Sequence, residues 1–168
     1  MADALAARPG VALRSHDVPA GPDEQREQIG DGYRIRLLGI MSIVIVKRSA
    51  SGYFETRKSL VHAIERRGLT VFARIDYAAA AREAGLALDD EEVVLFGSPR
   101  SGTPLMLSDR RVGIELPLRI LVWRDGEDVL LGFSDPRELS GDYDLASHQS
   151  TLEQMATLLE ELALEAAS

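Results

Sequence analysis

The dipeptide Asp125-Gly126 stands between two apolar runs, and it constrains the fold more than any other feature of the sequence. Such a pair favours a two-residue hairpin turn, because the turn needs positive φ angles that glycine adopts without strain. In the flanking runs, 118–124 and 127–134, apolar side chains recur at every second residue, as they do in a strand with one covered face. The chain therefore contains an antiparallel strand pair, which excludes a purely parallel sheet.

Three β-rich segments precede this hairpin, and helical patterns separate them. Strands are predicted at 43–46, 69–75 and 93–96, and helices at about 51–67, 76–84, 104–111 and 150–165. The predicted order is β-α-β-α-β-α-β-β-α. We therefore expect an α+β fold, with a mixed or antiparallel sheet of about five strands and helices on one face.

The composition of the chain changes near residue 33. Residues 1–32 are rich in alanine, proline, glycine and charge without a sustained period, whereas the β-branched run at 43–46 is typical of a buried strand. We expect residues 1–40 to be a flexible N-terminal extension and residues 41–168 to form one α+β domain. Met41 leaves two interpretations open: a genuine extension, or an over-long gene model in which Met41 is the true first residue.

Composition excludes several functional classes. The 168 residues include no cysteine, so disulfides, thiolate zinc sites and cysteine nucleophiles are excluded. The formal net charge of −8 disfavours a nucleic-acid partner. No apolar segment reaches the roughly 20 residues that span a bilayer, and no signal peptide is evident, so we expect a cytoplasmic protein without a membrane partner. The acidic run 89–92 lacks calcium-loop spacing and is interpreted as a solvated turn; no metal and no cofactor are expected.

The loop at 97–104 is the best candidate for a binding site. It follows a predicted strand and is expected to open a helix, with Thr103 as the cap and Pro104 in the first turn. Free N–H groups at a helix start favour an anion, and hydroxyls, a fixed charge and glycines would help to hold it. The alternative is a tight connection whose glycines and prolines only shape the turn. The candidate ligand-binding residues are Ser98, Arg100, Ser101, Gly102 and Thr103, together with Arg119 from the following strand.

Two polar residues outside the loop have open roles. Arg119 is out of phase with the apolar face of its strand, where it could pair with Glu115 or bind a carboxylate in a bidentate manner. The alternative is a solvent-facing strand arginine or an ion pair at a dimer interface. His148 precedes the final helix and is a catalytic candidate: it could act as a base only if Ser98 or Ser101 lay close to it. No Gly-x-Ser-x-Gly motif supports a hydrolase.

Leu121 and Trp123 share one phase of their strand, and they form an apolar strip on the second face of the predicted sheet. A homodimer would cover this strip economically. The alternative is that Trp123 packs under the last helix or under the N-terminal segment.

A series of short motifs runs in a fixed order from about residue 43 to residue 165. These are the strand 43–47 followed by Ser49, the helix ending at Gly68, Phe96-Gly97-Ser98-Pro99, Gly102-Thr103-Pro104-Leu105-Met106, Leu116-Pro117-Leu118-Arg119, and Asp135-Pro136. The series resembles the domain-of-unknown-function family number three hundred and two. The resemblance implies a compact α+β fold and homodimers, and no settled activity. Many members carry an Arg-His pair before the final helix; here the segment 144–148 ends in His148 without the arginine.

Three functional hypotheses follow. The first is a homodimeric module that binds a small anionic ligand at the loop from Ser98 to Thr103. The second is a hydrolase or transferase for a small molecule that uses His148 as its base. The third is a protein-interaction domain without a ligand. A concave pocket at the loop with an inward-facing Arg119 would favour the first two, and a flat surface with Arg119 in an ion pair would favour the third.

Overall fold

The computed structural model describes residues 24–37 and 43–168. Seven strands lie in these ranges: β1 (Glu24–Ile29), β2 (Gly32–Leu37), β3 (Ile43–Arg48), β4 (Thr70–Asp76), β5 (Glu91–Gly97), β6 (Leu118–Asp125) and β7 (Asp128–Ser134). The helices are α1 (Tyr53–Arg66), α2 (Tyr77–Glu83), α3 (Pro99–Ser108), α4 (Leu139–Asp142) and α5 (Gln149–Ala166), with short 3-10 turns at Arg110–Ile114, Pro136–Glu138 and Ala146–His148.

The strands form one sheet in the order β1-β2-β3-β7-β6-β5-β4, and every neighbouring pair is antiparallel. The predicted α+β class with an antiparallel sheet is therefore confirmed. The two strands beyond the predicted five are β1 and β2, which lie within the segment expected to be an extension. Their composition is polar and charged, so they carry little of the apolar pattern that marks a strand. The domain boundary at residue 41 stays a prediction, and Met41 itself lies outside the described residues.

The central hairpin joins β6 to β7, as the Asp-Gly signal predicts. Its turn is one residue later than expected: Asp125 pairs with Asp128, and the two central residues are Gly126 and Glu127. Gly126 has a φ of 62°, so glycine occupies the first central position, where hairpin turns require positive φ. The resulting register places Val122 opposite Leu131 on the covered face of the sheet.

Helices α1 and α5 pack together against one face of the sheet. Alternate residues of the central strands point toward them, which is the two-residue period of a half-covered strand. The buried cluster consists of Ile45, Val94, Phe96, Ile120, Val122, Leu131 and Phe133 from the strands, Tyr53, Leu60, Ala63 and Ile64 from α1, and Leu159, Leu162, Ala163 and Ala166 from α5, together with Val129 and Ala167. Each large apolar side chain buried here contributes roughly 1.5–3 kcal/mol to the free energy of unfolding.

A second apolar cluster positions α3 at the end of the sheet. Leu105 of α3 is fully buried against Leu145, Leu152 and Met155, which lie in and before α5. Val112 of the 3-10 turn completes this cluster. The helix that follows β5 is thus held by its own apolar side chain against the start of α5, and the loop before it is carried on two rigid elements.

Candidate functional site

Helix α3 begins at Pro99, five residues before the predicted start at Pro104, so that prediction was wrong. Ser98 is the N-cap, and its Oγ accepts a hydrogen bond from the N–H of Arg100 at 3.3 Å. Ser98-Pro99 and Thr103-Pro104 carry the same local signal, a capping hydroxyl followed by a proline suited to the first turn. The earlier pair starts the helix, and Pro104 lies inside it.

The N–H groups in the first turn of α3 are already hydrogen-bonded to Ser98. Arg100 donates to the Ser98 side chain, and Ser101 and Gly102 both donate to the Ser98 carbonyl at 3.1 Å. Pro99 has no N–H to offer. The free amides on which the predicted anion site depended are therefore occupied, and any ligand here must be held by side chains and by the shape of the site.

A cavity of about 430 Å³ lies beside α3, at the junction of β5, β6 and α5. Its volume is within the range of about 300–1,000 Å³ that holds small organic molecules. Among the described residues, the only polar side chains on its wall are Ser98, Ser101 and Thr103. The remaining wall residues are Leu69, Phe72, Leu95, Gly97, Pro99, Gly102, Met106, Gly113, Leu116, Pro117, Leu118, Met155 and Leu158. The structure thus brings four of the predicted loop residues, including Gly102, to one concave and mostly apolar surface.

Three glycines of the wall keep the cavity open. Gly97, Gly102 and Gly113 have no positive φ, so their backbones do not require glycine. A Cβ added at any of the three would meet its nearest neighbour at 3.5 or 3.6 Å, which is ordinary van der Waals contact. An alanine methyl group would therefore fit at each of these positions, and because all three lie on the wall, it would take up part of the cavity.

Arg100 is the predicted loop residue that does not line the cavity wall. It is exposed on the first turn of α3, and within the described ranges its guanidinium forms no ion pair. Most other arginines of these ranges pair with a carboxylate, as Arg111 does with Asp109 at 2.7 Å. Arg100 is therefore available to an anion from outside the chain.

Arg119 lies away from the cavity and pairs with Glu115. Its Nη2 is 3.1 Å from the Glu115 carboxylate, which also accepts a hydrogen bond from the hydroxyl of Tyr143 at 3.0 Å. Burial, followed by this hydrogen bond, raises the pKa of Tyr143. Arg119 borders a separate hollow of about 40 Å³ beside Asp135. The interpretation of Arg119 as the partner of Glu115 is thus the one that the geometry matches.

His148 is hydrogen-bonded to Ser108, at 2.7 Å between Nε2 and Oγ. Its predicted partners, Ser98 and Ser101, line the cavity instead and form no hydrogen bond with it. Sequence reasoning missed Ser108, because 40 residues separate the two and no local spacing links them. The pair ties the end of α3 to the start of α5.

Glu92 contradicts the interpretation of 89–92 as a solvated turn. It belongs to β5, is 3% exposed, and receives hydrogen bonds from Arg74 at 2.8 and 3.1 Å and from Arg57 at 3.2 Å. Burial, together with the charge of Glu92, raises the pKa of nearby Tyr53 to about 12. The sequence shows the charges of Arg57, Arg74 and Glu92, but it does not show that the three side chains meet beside α1.

Within 24–37 and 43–168, no group of histidine, aspartate or glutamate side chains is arranged to hold a metal ion. No helix in the same ranges is long and apolar enough to cross a membrane.

The family model described as domain of unknown function DUF302 matches residues 45–162. The chain belongs to this family. The resemblance drawn from the ordered motifs is thereby confirmed. A similar solved structure is that of an uncharacterized conserved protein DUF302 from Bacillus stearothermophilus, with a TM-score of 0.67 and 17% identity over 74% of this chain and 98% of that one. At this identity the likeness concerns the fold.

Curated relatives give a second point of comparison. Fluoride-specific ion channel FluC 1 of Brucella suis biovar 1 is 41% identical over 99 residues, which covers 54% of this chain and 39% of that protein. Fluoride-specific ion channel FluC 2 of Brucella melitensis biotype 1 is 41% identical over 99 residues and is covered to 37%. The chain thus spans less than two fifths of the length of these curated relatives.

Proposed function

We propose that this DUF302 domain is a binding module that holds a small organic anion in the cavity beside α3. The observation that carries the proposal is the cavity of about 430 Å³ whose wall is left open by Gly97, Gly102 and Gly113. Exposed apolar surface is costly, and side chains at these three positions would cover part of it. A ligand that fills the cavity would bury the same apolar surface and gain a similar free energy. The anion is inferred from Arg100, which has no carboxylate partner in the described residues.

The test is a binding screen on the full chain, read by thermal shift and by fluorescence of anilinonaphthalene sulfonate, an aromatic organic anion. The screen includes phosphate, nucleotides, carboxylates of several sizes and, because of the named channel relatives, fluoride. A ligand that binds only the native state raises Tm with dose. We expect organic anions to do so, and we expect the rise to shrink in Arg100→Ala.

Two leucine variants separate the cavity from the rest of the surface. Gly102→Leu projects a side chain into the cavity, whereas Gly52→Leu adds the same group where the new Cβ meets no atom within 4 Å. We expect binding to weaken at least about tenfold in Gly102→Leu, which corresponds to 1.4 kcal/mol. Equal binding in the two variants, or no organic anion that raises Tm, would contradict the proposal.

We also propose that the module is a homodimer in the cytoplasm. Leu121 and Trp123 are half-buried, and strand alternation places them on the face opposite α1 and α5. The ring of Trp123 packs over the backbone of Gly132 in β7, where a Cβ would lie only 2.9 Å from the ring. Sedimentation equilibrium should give the mass of two 18.4 kDa chains. Leu121→Glu should yield monomers and Leu86→Glu, on an exposed loop, should not; a monomer at every concentration of the unmodified chain would refute the dimer.

A second candidate function is hydrolysis, and the contact between Ser108 and His148 favours it. An imidazole nitrogen 2.7 Å from a serine oxygen is placed to take the proton of that hydroxyl. Turnover of p-nitrophenyl esters should then disappear in both Ser108→Ala and His148→Gln and persist in Ser101→Ala. Turnover that survives in Ser108→Ala would rule this function out.

A further inference from the structure

The chemistry of the cavity wall restricts what the ligand can be. Apart from three hydroxyl side chains, the wall consists of aliphatic, thioether and proline groups, one phenyl ring and glycine backbone. A polar ligand atom among these groups would lose its hydrogen bonds to water, at a cost of about 1–3 kcal/mol for each unpaired atom. The part of the ligand that lies deep in the cavity must therefore be hydrocarbon.

The polar groups of the wall are gathered at one end. Ser98 caps α3, and Ser101 and Thr103 follow within its first turns. At 1.5 Å per residue, these three positions span only about 8 Å along the helix axis. Met106 lies one turn further along α3, and Met155 and Leu158 come from α5. We call the part of the wall at the start of α3 the hydroxyl-bearing end, and the part formed by Met106, Met155 and Leu158 the hydrocarbon end.

Arg100 adds a positive charge at the hydroxyl-bearing end. It lies between Ser98 and Ser101 in the chain, and it shares a stripe of α3 with Thr103, three residues further on. Its guanidinium is exposed and has no ion-pair partner in the described residues. A guanidinium binds a carboxylate through two parallel hydrogen bonds. The charge thus complements an anionic group held at the mouth of the cavity.

We propose that the ligand is a single-chain amphiphile with an anionic head, such as a medium-chain carboxylate. The head contacts Arg100, Ser101 and Thr103, and the tail lies among the leucine and methionine side chains. The inference rests on the proposed binding function and names its ligand class. The cavity volume of about 430 Å³ lies in the range of about 300–1,000 Å³ that holds small organic molecules, and it suits a tail of about eight to ten carbons.

The test is calorimetric titration of the full chain with hexanoate, octanoate and decanoate, below the concentrations at which they form micelles. Each added methylene should lower Kd about fourfold, which is the about 0.8 kcal/mol of one buried methylene. Decanoate should bind more tightly than 1-decanol, which has the same tail and no charge. In Arg100→Gln, Kd for decanoate should rise about five- to tenfold while Kd for decanol stays constant.

Arg82→Gln is the matched control, because Arg82 lies in α2 and also forms no ion pair in the described ranges. It removes the same charge and should leave the Kd of both compounds unchanged. Equal losses in Arg82→Gln and Arg100→Gln would show a general charge effect and overturn the head-group assignment.

The remaining outcomes separate this inference from the proposed function. If decanol and decanoate bind equally, or if only ring compounds bind and lose affinity in Gly102→Leu, the amphiphile is refuted and the binding module stands. If nothing binds the cavity, both fail. Phosphatidylglycerol vesicles distinguish the source of the acyl chain: binding to vesicles without binding of free decanoate would overturn the assignment to a free carboxylate.

Discussion

Replacing Gly102 with alanine should stabilise the protein and weaken its ligand binding at the same time. Gly102 lies inside α3, where glycine is about 1 kcal/mol less favourable than alanine. The added methyl group would lie 3.5 Å from Cδ1 of Leu116, so it gains contact without a clash. Together these effects should raise the free energy of unfolding by about 1–1.5 kcal/mol.

Differential scanning calorimetry measures the first half of this prediction. For a chain of this length, 1 kcal/mol corresponds to roughly 2–4 °C, so Tm should rise by about 2–6 °C in the absence of ligand. The same methyl group takes space from the cavity, so the further rise in Tm produced by decanoate should be smaller than in the unmodified protein. A gain in stability with a loss of binding is expected where a residue is kept for function.

The matched control is Gly52→Ala. A Cβ there meets no atom within 4 Å, and alanine is a poorer N-cap than glycine, so Tm should fall slightly and ligand binding should not change. A lower Tm in Gly102→Ala would refute the inference that a side chain fits at this position. A higher Tm with unchanged binding would show that Gly102 does not shape the ligand site.

Three further predictions concern residues away from the cavity. Glu92→Gln removes the buried carboxylate that pairs with Arg57 and Arg74, which are themselves partly solvated. Urea denaturation should show that the free energy of unfolding falls by about 2–3 kcal/mol, while ligand binding stays intact. A fall of less than about 0.5 kcal/mol would contradict the role of Glu92 in stability. Gly132→Ala places a Cβ 2.9 Å from the ring of Trp123, the single tryptophan of the chain. The clash should shift the fluorescence emission of Trp123 and lower the free energy of unfolding by about 1–3 kcal/mol. An unchanged emission spectrum would argue against the contact. Because the pKa of Tyr53 is raised from 10.0 to about 12, its stabilising contribution is complete below pH 10 and is lost as pH rises toward 12; this loss should be absent in Tyr53→Phe when stability is followed against pH.

The strands that were predicted correctly have strong local patterns. The hairpin of β6 and β7 follows from its alternating residues and its glycine, and β3 and β5 follow from β-branched and apolar runs. By contrast, β1 and β2 have polar sequences. They join the sheet by backbone pairing, β2 to β3 and β1 to β2. Almost any residue can form backbone hydrogen bonds, so strands held mainly by backbone pairing cannot be recognised from their composition.

The start of α3 shows a feature that the local sequence does not determine. Two Ser/Thr-Pro pairs, five residues apart, carry equal capping signals, and the structure uses the earlier one, with Ser98 as the N-cap. The earlier start uses the N–H groups that the predicted anion site required, so one choice of helix start changed the chemistry of the site.

The amino-acid sequence by itself determined the α+β class, the antiparallel hairpin, the family and the loop that carries the candidate site, because each depends on short-range pattern. Only the tertiary structure decided that Ser98, Ser101 and Thr103 line an apolar cavity, that Arg119 is paired with Glu115, and that His148 contacts Ser108. The contact of His148 with Ser108 spans 40 residues and forms only where the end of α3 meets the start of α5, and the cavity needs α3, α5 and the strands together. Arg119 and Glu115 are four residues apart, and the sequence left their pairing as one of several alternatives. Periodicity reports which side of an element is apolar, whereas the partner of each side chain is chosen by the packing of whole elements against one another.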